Sequence, residues 1–262
     1  MTSSPFVLDR AGPLLTITLN RPDRLNAFRR SEYHALHRLL GDVAEDRGVR
    51  VVVLTGAGRG FCAGEDLKEL DEGADEGTDA MRANIEVLQD ITRRIVDGPQ
   101  VYLAAVNGVA AGFGAELAIA CDMRIGSPET RFLFPEVRRG LFVTNGVSLL
   151  LPRIVGATWA SQLLLTGAPI DAATALRIGL VTELLPTGEL VARAHALAQA
   201  MLANAPTAMI ETKRILRGSD RELLERHLHD EVSAIMRCLA TGEHLEGARA
   251  FVEKRAPRWP ST

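Results

Sequence analysis

Two glutamates in the most apolar stretch of the chain have the residue type and the setting that proton-transfer chemistry requires. Glu116 follows a run of small residues that begins at Asn107, and Glu136 ends the apolar segment 132–136. Carboxylates are seldom fully buried unless they are paired or take part in a reaction. Burial disfavours the charged form, and each carboxylate raises the pKa of the other. The sequence therefore predicts a pair of side chains for general acid–base catalysis.

Two turns of small residues are candidates for binding developing negative charge. The first contains Ala63, Gly64 and Glu65, and the second contains Gly112 and Phe113. Each turn follows a different predicted strand and leads towards a helix, where free N–H groups bind anions. At neighbouring strand ends the two turns would form an oxyanion hole. Ordinary tight packing of turns against helices explains the same residues equally well.

Length and composition describe a globular protein with a large core. The chain has 262 residues, of which 47% are hydrophobic. This length suits one large domain or a domain with a small appendage. The net charge of −3 argues against a nucleic-acid-binding protein. Cys62, Cys121 and Cys238 lie far apart, which fits a reducing cytoplasm and no zinc framework. The N-terminus has no signal-peptide pattern, so a cytoplasmic location is predicted.

One segment imitates a membrane span. Residues 101–121 are nearly all apolar, and Gly108 and Gly112 have the spacing of a membrane-helix packing motif. Asn107 and Glu116 interrupt this segment, and an acidic residue is costly in lipid. We therefore expect no membrane association.

The order of the predicted elements indicates a layered α/β domain with right-handed crossovers. Residues 6–9 and 14–19 predict a hairpin, and the helical period over 31–46 predicts a helix. Apolar runs over 49–54 and 101–106 predict strands that are buried on both faces, as in a parallel sheet. Another short strand is predicted at 123–126, and Glu116 is expected on the helix that precedes it.

The second half of the chain is predominantly helical. Residues 71–79 are acidic and rich in glycine, which predicts a mobile surface loop, and a helix is predicted over about 80–97. Further helices are predicted over 158–166, 171–178, 188–203, 207–217, 220–240 and 243–254, with only a short strand near 181–183.

We divide the chain into an α/β core, 1–200, and a C-terminal helical region, 201–262. Apolar stripes in that region, such as Leu223 to Leu239, predict an interface between subunits, and packing on the chain's own core is the alternative.

Other motifs favour no different chemistry. The glycines of segment 56–60 follow a strand, but the dinucleotide fingerprint lacks its third glycine and its acidic partner. A tight turn explains them better. The serine elbow of hydrolases is absent. His34 with His37, and His227 with His229, are expected on solvated helix faces, so no metal site is predicted.

The chain resembles the crotonase (enoyl-CoA hydratase/isomerase) superfamily over nearly its whole length. Six segments match in the family's order, and together they are specific for the fold and for acyl-CoA thioester binding. These segments are 21–27, 61–67, 105–122, 134–141, 165–181 and 246–255.

The resemblance implies an α/β fold of the crotonase type, a spiral of ββα units with a C-terminal helical region. It implies a homotrimer, commonly paired into a hexamer. Glu116 and Glu136 correspond to the catalytic acids of the hydratases. The backbone N–H groups of Glu65 and Phe113 correspond to the oxyanion hole.

The resemblance also implies a binding site for coenzyme A (CoA). Segment 24–27, which includes Arg24, Asn26 and Ala27, corresponds to part of the CoA pocket together with Ala63 and Gly64. Phe251 and Lys254 correspond to residues that reach CoA late in the chain, often from a neighbouring subunit. CoA arrives as part of the substrate, so no metal or redox cofactor is expected.

Two departures from the family pattern bear on activity. Phe113 replaces a glycine, and segment 143–146 replaces a glycine-rich turn that borders the reacting carbons. Thr144 lies where a dienoyl-CoA isomerase would carry an acidic residue. The expected reaction is reversible hydration of a trans-2-enoyl-CoA. A Δ3,Δ2-enoyl-CoA isomerase and a catalytically weak acyl-CoA-binding protein are the alternatives.

Overall fold

The larger of two sheets is mainly parallel. A computed structural model of the chain describes residues 4–66, 78–218 and 221–259. Residues 71–77 of the predicted surface loop lie outside these ranges. The larger sheet has the strand order β1-β2-β3-β5-β7. Its strands are β1 (Phe6–Ala11), β2 (Leu14–Leu19), β3 (Val51–Gly56), β5 (Val101–Val106) and β7 (Met123–Gly126).

The strands of the larger sheet lie side by side in the order in which they occur along the chain. The strands β1 and β2 are antiparallel, and the predicted hairpin is confirmed with a longer first strand. Gly12 in its turn has a φ of +62°, a conformation that glycine adopts at little cost. The pairs β2–β3, β3–β5 and β5–β7 are parallel. Every residue of β5 is buried, which confirms that the apolar run 101–106 is a strand covered on both faces.

A second, smaller sheet escapes the sequence analysis. It has the strand order β4-β6-β8-β9. Its strands are β4 (Gly60–Cys62), β6 (Val109–Ala111), β8 (Arg131–Leu133) and β9 (Ile170–Asp171). Runs of two or three residues are too short to show the alternation that identifies a strand. The strands β4, β6 and β8 are parallel neighbours, and β9 closes the sheet in the antiparallel direction.

The helices complete a repeated unit. They are α1 (Arg30–Glu45), α2 (Thr78–Asp97), α3 (Phe113–Ala120), α4 (Val147–Thr166), α5 (Ala172–Arg177), α6 (Thr187–Leu202), α7 (Pro206–Gly218), α8 (Arg221–Thr241) and α9 (Glu243–Val252). Short 3₁₀ helices span Pro22–Arg24 and Glu136–Arg139. Three times the chain runs through a strand of the large sheet, a strand of the small sheet and a helix: β3-β4-α2, β5-β6-α3, and β7-β8 with the second 3₁₀ helix. The α/β fold with a spiral of ββα units is confirmed.

The C-terminal helices pack on the rest of the chain. On α8, Leu224 and Leu228 join the main hydrophobic core, and Val232 and Ile235 cluster with Ile85 of α2. The apolar stripe therefore packs within one chain, as the alternative interpretation expected, although Leu223, Met236 and Leu239 are only partly buried. The stripe gives no support to subunit assembly, and the trimer or hexamer stays a prediction.

The segment that imitates a membrane span is not one helix. Residues 101–121 form β5, β6 and α3, with a turn between each pair. Among the described residues one helix, α4, is long and apolar enough to cross a membrane by length and composition alone. Core helices pass the same test, and Leu149, Leu150 and Leu151 of α4 lie in the main core.

Candidate active site

Glu116 and Glu136 line one cavity of about 180 Å³. Most of its wall is apolar, and α1, α2, α8 and the segment after the second 3₁₀ helix contribute to it. The residues that line it include Tyr33, Ala63, Gly64, Glu65, Ile85, Gly112, Phe113, Glu116, Glu136, Arg139, Thr144, Asn145, Ile235 and Leu239. The structure therefore brings together the predicted acids and both predicted turns.

Glu116 is fixed by donors from one neighbouring turn. It lies on α3 and is only 3% exposed. Its carboxylate accepts a hydrogen bond of 3.2 Å from the backbone N–H of Thr144 and another from the side-chain amide of Asn145. Both donors belong to the segment that departs from the family pattern.

Glu136 is held less tightly. It begins the second 3₁₀ helix directly after Pro135. A Cβ added to Gly112 would lie 3.2 Å from its Oε1, so glycine leaves room for the carboxylate there. Its Oε2 is buried and has no hydrogen-bond partner among the described residues. A buried polar atom without a partner is uncommon and needs an explanation.

The surroundings raise the pKa of both acids. Burial raises the pKa of Glu136 to about 7, against the opposing effect of nearby Arg139. Burial also raises the pKa of Glu116 well above its ordinary value, and the charge of Glu136 raises it further. The hydrogen bonds from Asn145 and Thr144 act in the other direction. A carboxyl group with a pKa of about 7, such as that of Glu136, can both give and take a proton near neutral pH.

The two predicted turns touch each other at their glycines. Gly64 has a φ of +90°, and a Cβ there would lie 2.7 Å from the carbonyl oxygen of Ala111 and 3.6 Å from the backbone nitrogen of Phe113. Phe113 is the first residue of α3, where a backbone N–H has no acceptor within its own helix. The geometry is compatible with an oxyanion hole and with tight packing, so the roles of Glu65 and Phe113 stay predictions.

The ring of Phe113 packs into an aromatic cluster. It meets Tyr33 edge to face at 4.7 Å between ring centroids and Phe28 at 5.2 Å. The backbone of Phe28 in turn pairs with the first turn, since its N–H donates to the carbonyl of Gly64 at 2.7 Å. The side chain that replaces the family's glycine therefore forms one wall of the cavity and joins the two turns through packing.

The predicted CoA residues divide into two groups. Ala63 and Gly64 line the cavity, whereas Arg24, Asn26 and Ala27 do not. The amide of Asn26 donates to the carbonyls of Ala57, Gly60 and Phe61, and its oxygen accepts from Arg21 N–H. Asn26 thus anchors the turn between β3 and β4. Arg24 is exposed, and Ala27 is buried.

Phe251 and Lys254, the two predicted CoA residues near the end of the chain, do not line the cavity. Phe251 is 52% exposed, and its ring centroid is 4.6 Å from the Cζ of Arg139, which does line the cavity. Lys254 is exposed just beyond α9. Their predicted contact with CoA is untested by this arrangement.

Several residues of the site are missed by the sequence analysis. Tyr33, Arg139 and Asn145 line the cavity. Asn145 lies in segment 143–146, whose departure from the family pattern was the available signal. The described ranges contain no group of three or more His, Cys, Asp and Glu residues that could hold a metal ion.

The fold and the paired buried acids define a protein of the crotonase type. A family model described as enoyl-CoA hydratase/isomerase matches residues 9–262, and the chain belongs to that family.

Relatives and solved structures agree over nearly the full length. The chain is 34% identical over 256 residues to the short-chain-enoyl-CoA hydratase of Clostridium acetobutylicum, which covers 97% of each protein. It is 33% identical over 254 residues to the 2,3-dehydroadipyl-CoA hydratase of Escherichia coli, covering 97% of this chain and 98% of that protein. The crystal structure of an enoyl-CoA hydratase/isomerase from Pseudoalteromonas atlantica has a TM-score of 0.88 and 33% identity, and the match covers 98% of this chain and 100% of that chain.

Proposed function

We propose that the protein catalyses the reversible hydration of a trans-2-enoyl-CoA thioester to a 3-hydroxyacyl-CoA. Family membership and the names of relatives support enoyl-CoA hydration in general. The observation that carries the proposal is the meeting of Glu116 and Glu136 in one largely apolar cavity. Neither carboxylate forms an ion pair within the described ranges, so both are available for proton transfer.

The oxyanion hole is assigned to the two touching turns. The thioester oxygen accepts hydrogen bonds from the N–H groups of Glu65 and Phe113, which stabilise enolate character in the transition state. Losing one such donor typically raises the barrier by about 3–4 kcal/mol. Gly64 supports this assignment because any Cβ there would crowd the path between the turns.

The glutamates divide the proton transfers. A water held between them adds its oxygen to the β-carbon, and its proton passes to the carboxylate of Glu116. The protonated carboxyl of Glu136 gives its proton to the α-carbon, so one water is consumed and the enzyme's total proton count is unchanged. The pKa of about 7 at Glu136 keeps a protonated fraction available near neutral pH.

Recognition of CoA is assigned to backbone at Ala63 and Gly64 and to exposed cations at Arg24 and Lys254, with Asn26 and Ala27 shaping the loop. Phe251 is assigned to the same ligand. The proposal includes a cytoplasmic homotrimer or hexamer and requires no metal or redox cofactor. Light scattering of the purified protein tests the assembly.

The isomerase alternative makes less use of the cavity. A Δ3,Δ2-enoyl-CoA isomerase would shuttle one proton between the α- and γ-carbons through Glu136. Such a reaction gives Glu116 no catalytic role, although two hydrogen-bond donors hold its carboxylate in the cavity. A weak acyl-CoA-binding protein would need neither acid.

A panel of thioesters tests the proposal. Trans-2-enoyl-CoA and 3-enoyl-CoA esters of several chain lengths are followed by loss or gain of the conjugated chromophore, and products are identified by mass spectrometry. Hydration predicts loss of conjugation with a mass gain of one water. Conversion of 3-enoyl to 2-enoyl esters without added water would establish the isomerase. Tight binding with no turnover of any ester would establish the binding protein.

A further inference from the structure

The side chain of Asn145 is directed at a predicted catalytic acid. Its Nδ2 donates to the Glu116 carboxylate, and the same turn supplies the N–H of Thr144 at 3.2 Å. Asn145 is 1% exposed and lines the cavity. Glu136 is held less fully, since its Oε2 has no partner in the part of the chain that the structure describes. The two acids therefore differ in how well the protein solvates their charged forms.

The turn that presents the amide is fixed from two helices. On α2, the Gln89 side chain donates to the carbonyl of Thr144 at 2.9 Å, and the Thr92 hydroxyl donates to the carbonyl of Asn145 at 3.2 Å. On α8, the carboxylate of Glu231 accepts from the N–H of Gly146 at 2.7 Å. The carbonyl oxygen Oδ1 of Asn145 is buried and has no partner among the described residues. Binding Glu116 is thus the one described hydrogen-bonding task of this amide besides a long contact with Thr144 Oγ1.

We propose that Asn145 is a positioning residue that orients the Glu116 carboxylate and stabilises its ionised form, so that Glu116 serves as the base of the pair. The assignment rests on the proposed hydration and deepens it. An amide NH₂ is a donor, and a donor bonds a carboxylate more strongly than it bonds a neutral acid. Glu136 has no such donor at its Oε2 among the described residues, so its charged form is not stabilised in this way. The amide of residue 145 therefore contributes to the asymmetry between the two acids, together with the Thr144 N–H.

Other ionisable groups act on Glu116 from the surrounding elements. Glu136 on the 3₁₀ helix and Glu231 on α8 oppose its ionisation, and the phenol of Tyr33 on α1 lies close enough to interact. Arg139 acts on Glu136. Asn145 and the Thr144 N–H are the groups that favour the charged form of Glu116. Removing Asn145 should therefore leave Glu116 harder to ionise.

Carbon NMR of protein labelled at the glutamate carboxyl carbon tests this without any turnover. The full-length Glu136→Gln variant removes the coupled titration, and the Glu116 signal is identified by its loss in Glu116→Gln. Adding Asn145→Ala should raise the pKa of Glu116 by about one to two, because a hydrogen bond to a charged group is worth that much. Thr92→Val is the matched control, since it loosens the same turn but keeps the amide. It should lower the melting temperature slightly and leave the pKa unchanged.

A second measurement follows the amide of Asn145 itself. The Asn145 side-chain ¹H–¹⁵N signals, identified by their loss in Asn145→Asp, should follow the Glu116 titration in Glu136→Gln and be flat when Glu116→Gln is added. A flat signal in the first protein, or an unchanged Glu116 pKa in Asn145→Ala, would overturn the proposal and leave Asn145 as a structural tie. If hydration is observed, the acidic limb of kcat/KM should also move to higher pH in Asn145→Ala. Failure to find hydration would refute the proposed function and leave both NMR results to be judged separately.

Discussion

Burial affects two acids outside ordinary surface positions, Glu231 in the middle of α8 and Glu136 at the start of the second 3₁₀ helix, and they differ in their hydrogen-bond partners. Glu231 is 1% exposed, and its carboxylate accepts from Gly146 N–H at 2.7 Å, Ser148 N–H at 2.9 Å and Ser148 Oγ at 2.6 Å. Glu136 has a buried oxygen with no partner among the described residues. Burial raises the pKa of both. Partner count, more than burial, separates Glu231, whose hydrogen bonds stabilise the fold, from Glu136, whose carboxylate is available for chemistry.

The role of Glu231 follows from helix geometry. The first N–H groups of α4 have no acceptor within that helix, and its N-cap residue, Gly146, has no side chain to cap them. Glu231 reaches across from α8 and supplies the missing acceptor. It thereby ties the C-terminal helices to the segment that carries Thr144 and Asn145.

Replacing either cavity glutamate by glutamine should have the largest effect on catalytic activity. Glu116→Gln and Glu136→Gln keep the shape of each side chain and should each lower kcat by about 10²- to 10⁴-fold, with little change in CoA-ester binding. The double variant should fall far short of the product of the two losses, because the pair acts as one unit. Steady-state kinetics on the substrate found with the thioester panel measures this.

The matched substitution is Glu231→Gln, which should retain kcat within a fewfold in the folded protein. Near-full activity in either cavity variant would show that this glutamate is structural. A catalytic defect in Glu231→Gln without loss of stability would abolish the distinction drawn between the two kinds of acid.

Replacing Glu231 should have a large effect on the stability of the fold, although it should have little effect on kcat. Glu231→Ala leaves the N–H groups of Gly146 and Ser148 buried without their acceptor, at a cost of about 2–5 kcal/mol in the free energy of unfolding. Urea denaturation monitored by circular dichroism measures it. Glu225→Ala, on the same helix, removes an exposed ion pair with Arg93 and should cost less than about 1 kcal/mol. Equal losses in the two variants would contradict the capping role.

The pH dependence of the free energy of unfolding should reveal the raised pKa of Glu136. Its pKa rises from 4.5 in the unfolded chain to about 7 in the fold, so the folded state binds the proton more tightly between these values. Stability should therefore fall as pH rises from about 4.5 to 7, by up to about 3 kcal/mol. Glu136→Gln lacks the group and should be the more stable protein at pH 8 but not at pH 4. Parallel unfolding curves for the two proteins at every pH would show that the carboxyl is not desolvated as described.

Much of this site can be read from the sequence because its parts are local. Glu116 and Glu136 stand out by residue type in apolar surroundings, and Gly64 and Gly112 stand out as turns after strands. The long strands and the amphipathic helices have periodic patterns, and their predicted bounds differ from the observed ones mostly by a few residues. The sequence pattern predicts a helix only from about 158, so it does not indicate the first half of α4.

The remaining features depend on contacts between distant residues. Glu231 meets Ser148 across 83 positions of sequence, and Glu116 meets Asn145 across 29. No periodicity encodes such pairs, because each partner is unremarkable in its own segment. The cavity wall contributed by Ile235 likewise depends on how α8 folds back. Sequence reasoning therefore located the acids but not the groups that make them differ.

The smallest predicted effect concerns charges outside the cavity, which should act on binding and not on chemistry. Arg24 and Lys254 are exposed, and the phosphates of CoA lie far from the reacting carbons, so any attraction is equal in the ground and transition states. Arg24→Ala and Lys254→Ala should each raise KM by about two- to fivefold, the scale of an exposed ion pair, with kcat unchanged. Salt screens exposed charges, so the difference in KM from the unmodified protein should shrink as ionic strength rises.

Arg10→Ala is the control. Arg10 is an exposed cation that pairs with Asp46, and its replacement should leave KM unchanged. A fall in kcat for Arg24→Ala would place this loop in the chemistry and blur the contrast with the two glutamates, whereas an unchanged KM at every salt concentration would remove both cations from the CoA site.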